Sequence, residues 1–413
     1  MSTLDQATPA ANQRPSPAAT EPAQSPRPER ISRGLVALLA VASGAAVANL
    51  YYIQPLLSVV GHAFGVSDGA AGLLVTCAQV GYVCGLAFLV PVGDITERRR
   101  LISTVLLGTA LALGACAAAP SFAVLAAALI AAGALSVVAQ IIVPLASTLA
   151  APEERGQVVG TVMSGLLIGI LTARTLSGVI AQFGGWRLVF ALAAGAMLIL
   201  SLTLWRLLPT VEPPEPVRYR AVLRSVVSLI AHEPVLRQRM VLGAFGFAGF
   251  SVLWTSIAFL LSSPQYGYNE AVIGLFGLAG AAGALVAPLA GRLADRGHGR
   301  LVLGAFLLVV LASWALLALG RTSLIALILG IIVLDLGIQG AQISNQARIY
   351  RLHAHARSRL TTAYMVSVFL GGIVGSTLST TIYAVGGWDA VCALGAALAF
   401  SAILVLAATR RHD

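Results

Sequence analysis

The chain has 413 residues, of which 58% are hydrophobic and only 10% are charged. Soluble domains carry about a quarter charged residues, so this composition excludes a water-soluble fold and indicates an all-α membrane protein. A net charge of +10 would favour a nucleic-acid partner only if the 26 basic residues, all of them arginines, formed one soluble basic surface.

The first predicted element is a disordered cytoplasmic tail over residues 1–30. This segment is rich in proline, alanine, serine and glutamine and has almost no large apolar side chain. It cannot bury enough surface to offset its ordering entropy, and it lacks the basic start and apolar run of a cleavable signal peptide. We therefore expect the first helix to target the chain to the membrane.

Twelve apolar runs follow the tail, and each is compatible with a helix that crosses about 30 Å of hydrocarbon. The first six are predicted at 34–60, 69–92, 101–118, 121–149, 157–182 and 187–208. The second six are predicted at 239–262, 270–291, 301–319, 323–347, 359–384 and 388–408. Between them, the polar and proline-containing segment 209–238 predicts a cytoplasmic linker that joins six-helix bundles at 31–208 and 239–413.

The arginines predict the orientation of these helices. With the N-terminus in the cytoplasm, all but three of the 26 arginines fall on the inner side. Arg187 and Arg321 fall outside, and Arg174 lies within a span. This asymmetry follows the positive-inside rule and predicts a multi-pass protein of the cell inner membrane with both termini in the cytoplasm. Arginines that meet anionic lipid also explain the net charge without any nucleic acid.

The two halves of the chain resemble each other at a fixed offset of 202 residues. This shift places Gly65 on Gly267 and Gly184-Gly185-Trp186 on Gly386-Gly387-Trp388. Chance matches among alanine, leucine and glycine are common, but a matching tripeptide that ends in tryptophan is not. The offset predicts two parallel six-helix repeats, an arrangement in which transporters bind their substrates at the interface of the repeats, near the bilayer midplane.

Two charged loops follow the second and eighth predicted helices. They read PVGDITERRR from Pro91 and GRLADRGHGR from Gly291. Both resemble the cytoplasmic loop signature of the major facilitator superfamily, although the first copy departs from it at Val90, Ile95 and Glu97. The resemblance implies the major facilitator fold, with 12 transmembrane helices.

The charges of these loops are candidates for conformational gating. An aspartate at the end of one helix can pair with an arginine across the loop in one conformation and release it in another. The alternative is that the charges only fix the topology of the helices. The gating candidates are Asp94, Arg98, Arg99, Asp295, Arg296 and Arg300.

The fifth predicted helix resembles the antiporter motif of the same superfamily. The motif residues in this chain are Gly160, Gly169, Ala173, Ser177 and Gly178. In that family the motif implies export in preference to uptake, whereas small residues at this spacing can also serve close helix packing alone. Two departures weaken the match: Arg174 replaces the motif's proline, and Leu129 occupies the approximate place of an arginine that drug:proton antiporters carry on the fourth helix.

Two ionisable residues lie inside predicted spans, where a charge is costly and indicates function. Asp335 is the only carboxylate in the interior of a predicted span, so it is the leading candidate for a proton carrier. Arg174 is its expected partner. Removal from water favours the protonated form of a carboxyl group and a nearby arginine favours the ionised form, so alternation between the two environments would load and release a proton. The alternative is a permanent ion pair that braces the two halves.

Polar side chains on several predicted helices are candidates to line a substrate cavity. The resemblance implies that the first, fourth, seventh and tenth helices line it, and a stripe that starts at Asp335 follows one face of the tenth helix. Each single amide or tyrosine can instead serve as an interhelical hydrogen-bonding group. The cavity candidates are Asn49, Tyr52, Gln54, Gln79, Tyr82, Gln140, Trp254, Gln339, Gln342, Asn345 and Gln346.

The sequence thus predicts a secondary-active transporter that works by alternating access. The segment Asn49–Leu57 resembles bacterial sugar- or drug-efflux permeases, which implies export of a drug-like or sugar-like molecule, with proton antiport as the energy source. Uptake by proton symport is the alternative. No nucleotide-binding loop, metal motif or catalytic constellation is visible, so we expect no ATP-driven pump, enzyme, cofactor or metal site. The expected partners are a small-molecule substrate, protons and lipid, and we expect a monomer.

Overall fold

The computed structural model describes residues 31–151, 153–210, 218–284, 299–352 and 357–409, without the side chains of Asp94 and of residues 281–284, 357 and 358. The tail predicted for residues 1–30 therefore lies outside the described residues. Secondary structure in the described ranges is helical. This confirms the predicted all-α class.

Thirteen α-helices form the described part of the chain. The first seven are α1 (Arg33–Ala48), α2 (Leu57–Phe64), α3 (Asp68–Cys84), α4 (Arg98–Ala117), α5 (Phe122–Leu135), α6 (Val138–Leu149) and α7 (Arg155–Leu207). The next six are α8 (Tyr219–His232), α9 (Pro234–Ser262), α10 (Glu270–Ala284), α11 (Gly299–Leu319), α12 (Leu324–Ile349) and α13 (Arg357–Ala408). A π-helical turn at Gly85–Leu89 and a 3-10 turn at Val90–Asp94 extend α3.

These helices supply the twelve predicted spans in the described residues. α7 and α13 have 53 and 52 residues, and each contains two spans because non-helical glycines break it at Gly184–Gly185 and at Gly387. α1 and α2 together form the first span, and α5 and α6 together form the fourth. The amphipathic helix α8 lies in the predicted linker, where its Tyr219 hydroxyl donates to the Phe88 carbonyl at 2.8 Å.

The prediction of one continuous helix over residues 34–60 is wrong. α1 ends at Ala48, turns follow, and a 3-10 turn over Gln54–Leu56 leads into α2. Pro55 explains the break, because proline has no N–H to donate and its ring clashes with the carbonyl four residues earlier. The span predicted at 121–149 is also broken, at Ser136, whose hydroxyl donates back to the Ala132 carbonyl at 2.7 Å and bends the helix.

The predicted repeat is visible in the backbone. Four glycines have positive φ, namely Gly65 (64°), Gly185 (72°), Gly267 (63°) and Gly387 (61°), and the second pair follows the first at the 202-residue offset. A side chain at such angles is strained, so glycine is required at each turn. All four turns follow odd-numbered spans and lie at one end of the bundle, which we call the turn end. The opposite end carries the Arg98–Arg100 loop and Arg300, and we call it the arginine-rich end.

Side-chain contacts repeat at the same offset. The Arg187 guanidinium donates to the Ala119 carbonyl at 2.9 Å in the first repeat. The equivalent positions in the second repeat are Arg321 and Asp389, which form an ion pair at 2.5 Å. Each contact ties the start of one span to the loop after another, so the two halves have the same internal architecture.

Two crossings of small residues join the halves near the turn end. α3 packs against α13, where a Cβ on Gly72 would lie 2.0 Å from the Thr380 Cγ2 atom. α7 packs against α10, where a Cβ on Gly178 would lie 2.2 Å from the Glu270 carbonyl oxygen and 3.2 Å from the Gly274 Cα atom. The offset relates Gly72 to Gly274 and Gly178 to Thr380, so the two crossings are pseudosymmetric. They close the interface at the turn end.

Candidate functional site at the interface of the two halves

Arg174 lies on α7 in the first half, and 3% of it is exposed. Its Nε atom donates to the Gln54 Oε1 atom at 2.7 Å, which the break at Pro55 places against α7. Three aromatic rings surround the guanidinium carbon, at 4.7 Å for Tyr51, 5.4 Å for Phe250 and 3.9 Å for Trp254. Such stacking stabilises a desolvated cation by about 2 kcal/mol for a good ring contact, so the aromatic faces help to hold the charge inside the protein.

Asp335 lies on α12 in the second half and is also buried. The Trp254 indole N–H donates to the Asp335 Oδ1 atom at 3.4 Å. Gly280 on α10 makes room for this contact, because a Cβ there would lie 2.3 Å from the Asp335 Oδ2 atom. Three helices of the second half therefore fix the carboxylate.

The structure brings Arg174 and Asp335 into one cluster but not into a direct pair. Trp254 contacts both side chains, through its ring face and its N–H group respectively. The two charges are close enough to interact electrostatically. The Arg174 Nη2 atom has no hydrogen-bond partner among the described residues. The guanidinium therefore has a free N–H donor that can bind another acceptor when the halves move.

Sequence reasoning missed two rings of this cluster, those of Tyr51 and Phe250. On a continuous first helix Tyr52 was the expected cavity residue, but the turns after α1 place Tyr51 against Arg174 and leave Tyr52 half-buried. Pro55 was the available signal for this rotation. Phe250 lies four residues before Trp254 on α9, which is one helical turn and therefore the same face.

Several other cavity candidates join the two halves or pack close to their interface. The Gln79 side chain donates to the Ser251 hydroxyl at 3.1 Å across the interface. Gln140 donates to the Tyr82 hydroxyl at 3.5 Å within the first half, and the Tyr82 ring packs 4.5 Å from that of Phe369 across the interface. These contacts extend the cluster into a polar and aromatic seam between α3, α6, α9 and α13.

Asn49 is placed away from this seam. Its amide donates to the Ser136 hydroxyl at 3.3 Å and to the Met197 sulfur at 3.6 Å. Both partners belong to the first half, and 3% of Asn49 is exposed. The geometry therefore favours the interhelical role for Asn49, which was the alternative to cavity lining.

The stripe on α12 leads from Asp335 to a small pocket of the second half. Gln339 and Gln346 are half-buried on this helix. Gln342 and Asn345 line the pocket together with Phe247 and Tyr364, and the pocket has room for about one water molecule. The Asn345 Oδ1 atom is buried without a hydrogen-bond partner among the described residues, and the side chain of Asn345 interacts with the Tyr364 hydroxyl.

The gating candidates fall only partly within the described residues. Asp295 and Arg296 lie outside them, as does the side chain of Asp94. Arg98 donates to the Gly93 carbonyl at 3.2 Å and to the Thr148 hydroxyl at 3.3 Å, so it ties the loop to α6. Arg99 stacks over Trp205 at 5.3 Å, and Arg300 donates to the Leu406 carbonyl.

The small residues predicted as an export motif contact different partners. A Cβ on Gly169 would lie 2.2 Å from the Gly44 carbonyl oxygen of α1, and Gly178 packs on α10 across the interface. Ala173 is buried, and the Ser177 hydroxyl donates to the Arg174 carbonyl at 3.1 Å. Gly160 has open space around its Cβ position. The motif therefore serves one contact within the first half and one between the halves.

Residues 38–352 match the sequence profile of the Major Facilitator Superfamily. The chain belongs to this superfamily. It is 49% identical over 375 residues to the "Uncharacterized transporter YgaY" of Escherichia coli O157:H7, across 91% of this chain and 95% of that protein. It is 34% identical over 368 residues to the "Probable transporter SCO4007" of Streptomyces coelicolor, across 89% of this chain and 85% of that protein.

Solved structures share the fold. The structure of the nucleoside transporter NupG superposes with a TM-score of 0.74 and covers 91% of this chain and 100% of that one, at 14% identity. The predicted superfamily and its fold of twelve helices are thus confirmed. The chain is a multi-pass membrane transporter of small molecules, and it is not an enzyme.

Proposed function

We propose that this transporter exports a drug-like or sugar-like molecule by alternating access, in exchange for protons. The observation that carries the proposal is the buried cluster at the interface of the halves. Arg174 of the first half stacks on Trp254 of the second, and Trp254 binds Asp335. Opposite charges on the two halves can couple proton binding to transport, because a movement of one half relative to the other changes the electrostatic environment of both charges.

Alternating access is supported by the contacts near the turn end. At one crossing the small Thr380 side chain packs on Gly72, and at the other the backbones at Gly178 and Glu270 meet directly. A hydrogen bond of 2.8 Å between the Thr76 and Ser376 hydroxyls adds a polar contact between α3 and α13. Small residues and hydroxyl groups can separate at low cost when water enters, since water replaces the hydroxyl hydrogen bond.

Proton coupling is supported by the position of Asp335. Ionised Asp335 is compensated in the described state by the Trp254 N–H group and by the nearby Arg174 charge. A movement of the first half that withdraws Arg174 would leave the carboxylate buried without that compensation, and it would then bind a proton. Protonation and deprotonation would therefore alternate with the two conformations.

Direction and orientation follow from the loops and from the fifth span. We propose that the arginine-rich end faces the cytoplasm of the inner membrane, together with both termini, because arginine-rich loops are retained on that side. The resemblance of the fifth span to the antiporter motif supports export. We further propose that the transporter works as a monomer, formed by a six-helix bundle over 31–208, a linker over 209–238 and a second bundle over 239–413.

The test is an accumulation assay in efflux-deficient cells with a panel of dyes, antibiotics and labelled sugars. Expression of the wild-type protein should lower accumulation of at least one compound, and a protonophore should remove the effect. Proteoliposomes that contain this compound then report the direction, because an imposed proton gradient should drive its movement opposite to the protons. Movement with the protons would instead establish the uptake symporter.

Asn345 supplies a prediction that separates binding from stability. Its carbonyl group is unpartnered in the α12 pocket, so Asn345→Leu removes an unsatisfied buried acceptor together with the contact that this side chain makes with the Tyr364 hydroxyl. We expect the melting temperature to change little, since relief of the unsatisfied acceptor, about 1–3 kcal/mol, offsets the lost contact with Tyr364. If the pocket binds a polar group of the substrate, the apparent KM should rise about tenfold. Ser344→Ala on the same helix is the control, and equal KM values for wild type and Asn345→Leu would exclude Asn345 from binding.

A further inference from the structure

Trp254 contacts both charges of the interface cluster. Its ring face lies 3.9 Å from the Arg174 guanidinium carbon, which belongs to the first half. Its N–H group donates to Asp335 at 3.4 Å, and both residues belong to the second half. The same indole is therefore an electron-rich surface for a cation and a hydrogen-bond donor for an anion.

We propose that Trp254 is a positioning residue that transmits the charge state of Asp335 to the contact between the halves. This inference rests on the proposed function, in which Asp335 carries the proton. Ionised Asp335 accepts a charge-assisted hydrogen bond that fixes the indole, and the fixed indole holds Arg174 on its face. A proton on Asp335 weakens this hydrogen bond, the indole can turn, and the stacking contact with the first half is released.

The physical basis is the dependence of both contacts on ring orientation. Hydrogen bonds to an ionised acceptor are about twice as strong as those to a neutral one, so the indole loses much of its restraint when the acceptor becomes neutral. A cation gains from an aromatic ring only over its face. A rotation of the indole therefore converts a proton-binding event into the loss of an interface contact.

Gly280 shows that this arrangement is sterically specified. A Cβ on Gly280 would lie 2.3 Å from the Asp335 Oδ2 atom and 3.0 Å from the Trp254 Cζ2 atom. Any larger residue at this position would push the carboxylate and the indole apart. Gly114 on α4 offers a control glycine with open space around its Cβ position.

The charged and titratable groups that face the Trp254–Asp335 pair are few in the described residues. Arg174 on α7 is the charged group, and the Tyr51 hydroxyl, from the turns after α1, is the other titratable group near it. Gln54 and Phe250 complete the surroundings of the guanidinium without a titratable group. A pH-dependent signal from Trp254 can thus be assigned by substitution at Asp335.

The decisive experiment follows Trp254 fluorescence without any substrate. The chain has five tryptophans, so the spectrum of the purified Trp254→Phe variant is subtracted from that of the wild-type protein in lipid nanodiscs between about pH 5 and 9. We expect the difference spectrum to change with pH. In the Asp335→Asn background the same difference should be flat, and a curve that titrates equally in both backgrounds would overturn the proposal.

Transport measurements give the second readout. Trp254→Phe keeps a ring face for Arg174 and removes the N–H group, so the pH profile of proton-driven transport should shift from that of the wild type. Gly280→Ala, which keeps both partners but separates them, should shift the profile in the same way, and Gly114→Ala should not. Wild-type profiles for both Trp254→Phe and Gly280→Ala would contradict the inference.

The two proposals fail separately. If a proton gradient drives normal transport by the Asp335→Asn variant, the proposed coupling role of Asp335 is wrong, whatever the fluorescence shows. If Asp335→Asn loses coupling but the Trp254 signal ignores Asp335, the proton carrier stands and the positioning role of Trp254 is wrong.

Discussion

Asp335→Asn should abolish proton-driven efflux, with a loss of at least about tenfold in the initial rate. Asparagine has the shape of aspartate and still accepts the Trp254 N–H group through its side-chain oxygen, but it cannot exchange a proton. Substrate exchange across the membrane needs no net proton movement, so counterflow of labelled against unlabelled substrate should continue. The measurement compares driven efflux and counterflow in the same proteoliposomes.

Asp389→Asn is the matched control for this variant. Asp389 forms an ion pair with Arg321 in which both side chains are more than half exposed, and such surface pairs contribute about 0–1 kcal/mol. Loss of this ion pair in Asp389→Asn should leave proton-driven efflux unchanged. A large fall in melting temperature for Asp335→Asn, with loss of counterflow as well, would support the permanent bracing pair and contradict a role in coupling.

Gly178→Leu should reduce transport about tenfold or more by keeping the turn end open. A Cβ on Gly178 would lie 2.2 Å from the backbone oxygen of Glu270, and a backbone atom cannot rotate away as a side chain can. Overpacking of a close contact costs about 1–3 kcal/mol, which shifts the balance between the closed and open states by about fivefold to 150-fold. The transporter would then be trapped in one state of its cycle.

Gly160→Leu is the control, because it lies on the same helix and in the same motif but has nothing within 4 Å of its Cβ position. Its transport should stay within about twofold of wild type. Alkylation of Ser376→Cys, which is buried against Thr76 in the closed state, reports the opening directly. It should become faster in the Gly178→Leu background, and protection equal to that of the parent variant would show that α3 and α13 still close and would contradict the prediction.

The sequence was sufficient for the architecture because the governing patterns are local or repeated. Apolar run length predicts spans, and the 202-residue offset predicts the repeat without any knowledge of contacts. The breaks inside spans were harder to predict. Proline within an apolar run is tolerated in membranes when neighbouring helices satisfy the backbone, so Pro55 and Pro144 give the same signal, yet only Pro55 separates two helices here.

The sequence predicted the two charged residues of the candidate site but not how they are arranged. Arg174 and Asp335 stand out because ionisable groups are rare in apolar spans. Position along each helix carries no information on what separates them, so the contact of Trp254 with both was not predicted. Tyr51 was missed because its direction depends on the turns before Pro55. Helix rotation and mutual packing decide such details, and both depend on residues distant in the sequence.

A cross-link across the turn end tests alternating access. A Cβ on Gly69 of α3 would lie 3.9 Å from the Ala384 Cβ atom of α13, within the range of about 3.5–4.5 Å that a disulfide spans. In a background without the four native cysteines, the Gly69→Cys/Ala384→Cys variant should form this disulfide on oxidation, and each single variant serves as a control. Alternating access predicts that the oxidised double variant stops transporting and recovers on reduction. Undiminished transport by fully cross-linked protein would contradict it.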